Sequence, residues 1–304
     1  MNRRLSVLIS LLFIAGCTGT GSGTLAPTPT PTPAPQHLYV TNDQSPGGVR
    51  QYTLPITSSS TANFTIAGNS DTTAALDTSG DMLLGDNAGL LNFFTAPLSA
   101  TSVPAATFTN GAATNNGQVV FTSAGDLFAA TAAASVNMFT HPFSNASVPS
   151  ATITAPGFTS VTGTALDSAG NLYVSNASAG STISVFAPPY TGAPVTTPLV
   201  AGEAYRKIAL TSTQLFATAV SPGTGQVDVF TLPITAASTP AFSITNGTNV
   251  PEAIAVDANG NLYVGNLGNG SVTVYAPPFS AASAPAVTLT IGGTFAIFGV
   301  AVGK

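Results

Sequence analysis

Ala253–Asn266 reads AIAVDANGNLYVGN: a short apolar run, an Asp-x-x-Gly turn, and a second apolar run ending on Asn. Ala165–Asn176 repeats it as ALDSAGNLYVSN. Working outward, the leading apolar position of the second run returns at Leu38, Met82, Leu127, Leu172, Leu215 and Leu262, a period of about 44–46 residues between His37 and Lys304. A unit of that length cannot bury its own apolar face, so its repetition signals a stacked or ring-shaped architecture. Each unit carries four short apolar runs separated by Gly, Pro, Asn or Ser. In the last they are Ala253–Val256, Leu262–Val264, Ser271–Tyr275 and Ala286–Thr290. That is the spacing of successive β-hairpins. No stretch after the N-terminal segment sustains helical periodicity.

These features predict an all-β fold: a six-bladed β-propeller of four-stranded blades over residues 37–304. The pattern A-hydrophobic-D-x-x-G-N-L-Y-V-x-N resembles that of NHL-repeat proteins. The first run of each unit ends on Leu76, Phe121, Leu166, Leu210, Val256 and Val302, preceded by Ala75, Val120, Ala165, Ala209, Ala255 and Ala301. Large residues on one face and small ones on the other suit a crowded innermost strand buried on both sides. The domain opens on a second-strand run, Leu38–Val40, and finishes on a first-strand run, Phe298–Val302. The final strand is therefore expected to complete the first blade and close the ring.

Residues 1–16 have a positive start, Arg3-Arg4, then a twelve-residue apolar stretch, Leu5–Gly16, interrupted by two serines. That is shorter than the ~20 apolar residues a bilayer-spanning helix needs. It ends in Ile14-Ala15-Gly16-Cys17, which resembles the lipobox of bacterial lipoproteins. The resemblance implies a signal peptide over 1–16, lipidation of Cys17 and an extracytoplasmic, membrane-anchored protein of the bacterial cell envelope. Thr18 after the cysteine favours the outer membrane by the same resemblance. Cys17 is the chain's one cysteine, so no internal disulfide forms. Residues 17–36 run through APTPTPTPAP, an extended tether of roughly 3.1 Å per residue where polyproline-like.

The chain holds 6 basic and 11 acidic residues, a formal charge of −5; without Arg3 and Arg4 the balance is 4 to 11, or −7. Phosphate neutralisation is disfavoured, and nucleic acid is excluded as a partner. A monomer is expected.

The turns Asp77–Asp81, Asp167–Asn171 and Asp257–Asn261 have Gly in the fourth place, whereas the EF-hand loop needs it sixth, with Glu twelfth. They read as hairpin turns, with Asp bonding nearby backbone N–H groups. The second strands end in Asn42, Asp86, Thr131, Asn176, Ala219 and Asn266. These are either oxygen ligands around a channel mouth or side chains that cap the next turn. The loops leading into each inner strand belong to the same face and vary between units. They carry Asn69, Asp71, Asn115, Asn116, Glu203, Tyr205, Arg206, Asn249 and Glu252.

A symmetric scaffold acquires its site where its units differ. The candidate binding face is therefore Asp43, Asp71, Asp86, Asn116, Glu203, Arg206 and Glu252, open to a protein or glycan partner. No cofactor is expected, although calcium is possible. Any metal would fall to Asp71, Asn116, Glu203 and Glu252, by resemblance to the gluconolactonase-type propellers, which are calcium-dependent hydrolases. There is no G-x-S-x-G elbow, and the two histidines, His37 and His141, lie away from this face. A non-catalytic binding module is the first reading and the hydrolase the alternative.

Overall fold

The structure is a computed structural model that describes residues 36–44, 47–68, 70–111, 116–177, 181–198, 204–220, 225–291 and 295–304. The leader, Cys17 and the tether to Pro35 lie outside the described residues, as do Asn69, Asn115 and Glu203.

Alternating short apolar runs and turns give strands alone; no helix occurs among the described residues. The first blade contains β1 (His37–Asn42), β2 (Gly47–Thr53) and β3 (Phe64–Gly68). The second is β4 (Asp71–Leu76), β5 (Met82–Asp86), β6 (Leu90–Phe94) and β7 (Ala106–Thr109). The third is β8 (Val119–Phe121), β9 (Leu127–Ala130), β10 (Val136–Phe139) and β11 (Ala151–Ile153). Next come β12 (Val161–Leu166), β13 (Leu172–Asn176), β14 (Thr182–Phe186) and β15 (Val195–Pro198). The fifth blade is β16 (Tyr205–Leu210), β17 (Gln214–Ala219), β18 (Gln226–Thr231) and β19 (Phe242–Ile244). The sixth is β20 (Pro251–Val256), β21 (Leu262–Asn266), β22 (Ser271–Tyr275) and β23 (Val287–Thr290). The last strand, β24 (Ile297–Gly303), pairs antiparallel with β1, giving six four-stranded antiparallel sheets in a β-propeller.

Closure joins the two ends of the domain. His37 faces Gly303 and Val40 faces Val300 in the β1–β24 register. The pairing continues into the loops, where Asp43 N–H donates to Ala296 O and Ala296 N–H to Asn42 Oδ1, both at 3.0 Å. Arg50 adds a clasp from β2: its Nη1 donates to Ile291 O at 2.9 Å, and its guanidinium lies 4.4 Å from the centre of the Phe295 ring.

The core consists of six clusters, each between neighbouring blades. The one between the first two blades joins Tyr39, Val49 and Ile66 to Met82, Leu84 and Phe94. The inner alanines enter these clusters: Ala75, Ala165, Ala209 and Ala301 each pack in a different one. Near the axis backbones come closer still. A Cβ on Gly299 would stand 2.7 Å from Thr41 Oγ1 and 2.9 Å from Thr73 Cα, so only glycine fits there.

The Asp turns are structural. Oδ1 of Asp77, Asp167 and Asp257 each accepts two backbone N–H bonds, at 2.8–2.9 Å. In the third and fifth blades Thr122 and Thr211 do the same with a hydroxyl, through longer bonds of 3.0–3.4 Å. The strand-end residues cap turns: Asp86 Oδ1 takes the N–H groups of Ala88 and Leu90, and Asn176 Oδ1 those of Thr159 and Ser160.

Candidate functional site

The six inner strands surround the axis, and five of them break register at the same level. Asp71 pairs with Asp86 but Thr73 with Gly85, which leaves Thr72 as an extra, bulged residue. The same irregularity falls at Thr162 in β12, Glu252 in β20 and Phe298 in β24, and between Tyr205 and Ile208 in β16, where Arg206 sits. A bulge re-aims the side chain it carries. Here the five residues point to one place: Thr72, Thr162, Arg206, Glu252 and Phe298 line a single cavity of about 160 Å³ at the channel mouth. Gly117, which precedes β8, takes the sixth place, and Asp43, Asn116, Ala132 and Lys207 complete the lining.

Two of the four basic residues in 37–304 are therefore adjacent at this mouth, Arg206 and Lys207. Glu252 lies across the blade boundary, with Oε1 3.7 Å from Arg206 Nε. Arg206 keeps 40% of its side chain exposed, while Lys207 and Glu252 are only 6% and 7% exposed. Burial lowers the Lys207 ammonium to about 8, helped by the Arg206 charge and opposed by Glu252. Burial also raises the Glu252 carboxyl, against the pull of both cations. Arg206 Nε is buried and has no hydrogen-bond partner among the described residues. Burying Lys207 and Glu252 beside a part-exposed Arg206 costs stability unless the charges are well paired.

Hydrogen bonds tie the strand that carries Arg206 to its neighbours. Gln118 reaches past β12 to β16, donating from Nε2 to Ile208 O at 2.8 Å and accepting from Ile208 N–H at 2.9 Å. Tyr205, just before Arg206, donates its hydroxyl to Asp228 Oδ2, and Gln226 Nε2 donates to Asp228 Oδ1 at 2.7 Å.

Of the residues singled out by sequence, Asp43, Asn116, Arg206 and Glu252 come together here. Asp71 and Asp86 pair beside the mouth without lining it, each 1% exposed. Asp71 lines a separate cavity of about 250 Å³ with Gly68, Asn92 and Phe94. Its Oδ2 has no hydrogen-bond partner among the described residues. Its carboxyl is raised to about 7, first by burial and then by Asp86 and Asp43. Asn116 is committed to the scaffold: Nδ2 donates to Asp86 O and Leu90 O at 2.8 Å, and Oδ1 accepts from Asn110 Nδ2 at 3.0 Å. Among the described residues no three of His, Cys, Asp and Glu gather as a metal site. His37 and His141 do not line the mouth cavity.

Lys207 is the residue that sequence reading missed. Its signal was its rarity and its place beside Arg206, but its burial at the mouth follows from a bulge that no residue pattern announces. The opposite end of the channel has larger hollows, of about 540 and 490 Å³, lined by Leu76, Phe121, Leu166, Leu210 and the turn residues. Its Asp167 is consumed by the turn, with Oδ2 accepting from Asn171 Nδ2 at 2.8 Å and from the Tyr173 hydroxyl at 3.4 Å.

No protein-family model and no curated protein matches the sequence. Solved structures share the fold. A chain of a nidogen/laminin complex superposes with a TM-score of 0.66 at 13% identity, covering 88% of this chain and 98% of that one. A protein from Lactobacillus plantarum gives 0.63 at 14% identity over 89% and 99% of the two chains. A protein of unknown function from Bacteroides caccae gives 0.64 at 11% over 89% and 100%. At these identities the likeness is one of fold.

Proposed function

We propose that this propeller, with its NHL-like blade pattern, is a non-catalytic binding module of the bacterial cell envelope. It is held to a membrane by lipid on Cys17, spaced from it by residues 18–36, and engages a protein or glycan through the face around the channel mouth. One observation carries the reading. The charges that break the six-fold repeat, Arg206, Lys207, Glu252 and Asp43, converge on one cavity, whereas the repeat's own acids are spent on turns. Buried charge without a full set of partners is costly to the fold, and its concentration at an accessible mouth fits a ligand that repays the cost. The nidogen/laminin neighbour gives a parallel, a propeller of this size found in a protein–protein complex.

The test is capture from envelope extract with the full chain as bait. A specific partner is expected with wild type and with Ser168→Arg, which alters the opposite end. It is expected to be lost with Arg206→Gln combined with Glu252→Gln. Equal capture by all three baits refutes a mouth-centred function. Labelling with palmitate that persists in Cys17→Ala refutes the anchor.

A further inference from the structure

The mouth cavity is electrically two-sided. The inner strands follow one another in chain order around the axis, so in a ring of six the second and fifth blades face each other. The fifth contributes Arg206 and Lys207, of which Glu252 of the sixth neutralises one. That side keeps about one positive charge and the donors of two cationic side chains. On the other side are Asp43, from the loop after β1, and Thr72 of the second blade.

Asp43 is half-buried, with one oxygen accepting from Asn87 Nδ2 at 3.3 Å. The Thr72 hydroxyl is placed to donate to Gly85 O at 3.1 Å or Asn116 O at 3.0 Å, which leaves its lone pairs as its offer to a ligand. Thr72 therefore faces the donor side across the axis, with Asp43 contributed from the neighbouring first blade. Phe298 supplies an apolar wall between them. At about 160 Å³ the cavity is smaller than the ~300–1,000 Å³ of a pocket for drug-sized ligands, so its occupant has few heavy atoms.

We infer that the mouth binds a small zwitterion of α-amino-acid size, with its carboxylate on Arg206 and Lys207 and its ammonium on Asp43 and Thr72. This rests on the mouth being the binding site. The ligand is either a free amino acid or the same group displayed on an envelope component.

The test is calorimetric titration of the full chain with glycine, alanine and glutamate, set against acetate and ethylamine, which carry one charge each. The amino acids are expected to bind, and the single-charge probes to bind about tenfold more weakly or not at all. Arg206→Gln is expected to weaken alanine by about tenfold or more, and Asp43→Asn to reduce it to the level of acetate. Both side chains are partly exposed, so these variants keep the fold. Competition by alanine for envelope capture assigns the displayed form, and binding without competition assigns the free one. Acetate or ethylamine binding as tightly as alanine overturns the inference, as does unchanged affinity in either variant or failure of every amino acid to bind. If no amino acid binds while capture still depends on Arg206 and Glu252, the binding face stands and the ligand class alone falls.

Discussion

The two ends of the axial channel are built from the same repeat and spend their polar groups differently. At the turn end Asp77, Asp167 and Asp257 recur, and each holds a pair of backbone N–H groups. At the mouth the bulged positions carry Thr72, Thr162, Arg206, Glu252 and Phe298, no two charged ones alike. A symmetric scaffold thus separates its tasks: one end keeps the ring together, and the other is free to vary.

Removing β24 tests what both ends share. Deletion of Ile297–Lys304 opens the first blade, exposes the edge of β1 and removes Phe298 from the mouth. Loss of cooperative folding, or aggregation, is expected in solubility and thermal melting. A soluble truncation with a sharp melt would show that closure does not stabilise the ring.

The mouth is next. Glu252→Ala leaves Arg206 and buried Lys207 facing each other without their carboxylate, and is expected to cost about 3 kcal/mol in denaturant unfolding at neutral pH. A cost below that of Asp167→Ala would reverse the comparison between the ends.

Beside the mouth, Asp71 gives a pH signature. Its folded pKa of about 7 lies above its ordinary value of 3.8, so the folded state binds the proton more tightly. Stability therefore falls as pH rises from about 4 through 7, and the full penalty stands above 7. Asp71→Asn is expected to remove that decline and to stabilise the domain at pH 8 by roughly 2–3 kcal/mol. An unchanged pH profile would show that Asp71 ionises freely in the fold.

At the turn end Asp167→Ala breaks two backbone bonds and those from Asn171 and Tyr173 at a part-exposed site. A loss of about 1–2 kcal/mol is expected by the same unfolding assay. The smallest effect concerns metal. Melting with EDTA and with calcium is expected to agree within about a degree, since a ligand that binds the native state raises Tm by mass action. A calcium-dependent rise of several degrees would show that the native state binds the ion and would favour the hydrolase alternative.

Much of the fold was legible because its signals are local. Leu38, Met82 and Leu127 mark strands as short apolar runs recurring at one period, Asp-x-x-Gly marks turns by its own side-chain chemistry, and five alanines before a large residue mark the crowded inner strand. The mouth was half legible. Asp43, Asn116, Arg206 and Glu252 belong to that face by the order of strands and loops alone. Loop counting cannot tell that Asp71 and Asp86 turn away to a buried pair, or that Asn116 spends its amide on the scaffold. Strand alternation would send Arg206 and its neighbour Lys207 to opposite faces, whereas the bulge in β16 brings both to the mouth.

Residue types and their spacing alone therefore determined the repeat, the strand-and-turn alternation and the closing strand, since each depends on interactions within one unit or between its ends. Tertiary structure decided which charges meet. Arg206, Lys207 and Glu252 meet because bulges in neighbouring inner strands fall at one height around a common axis, and Asp43 joins their cavity from the loop after β1 of another blade.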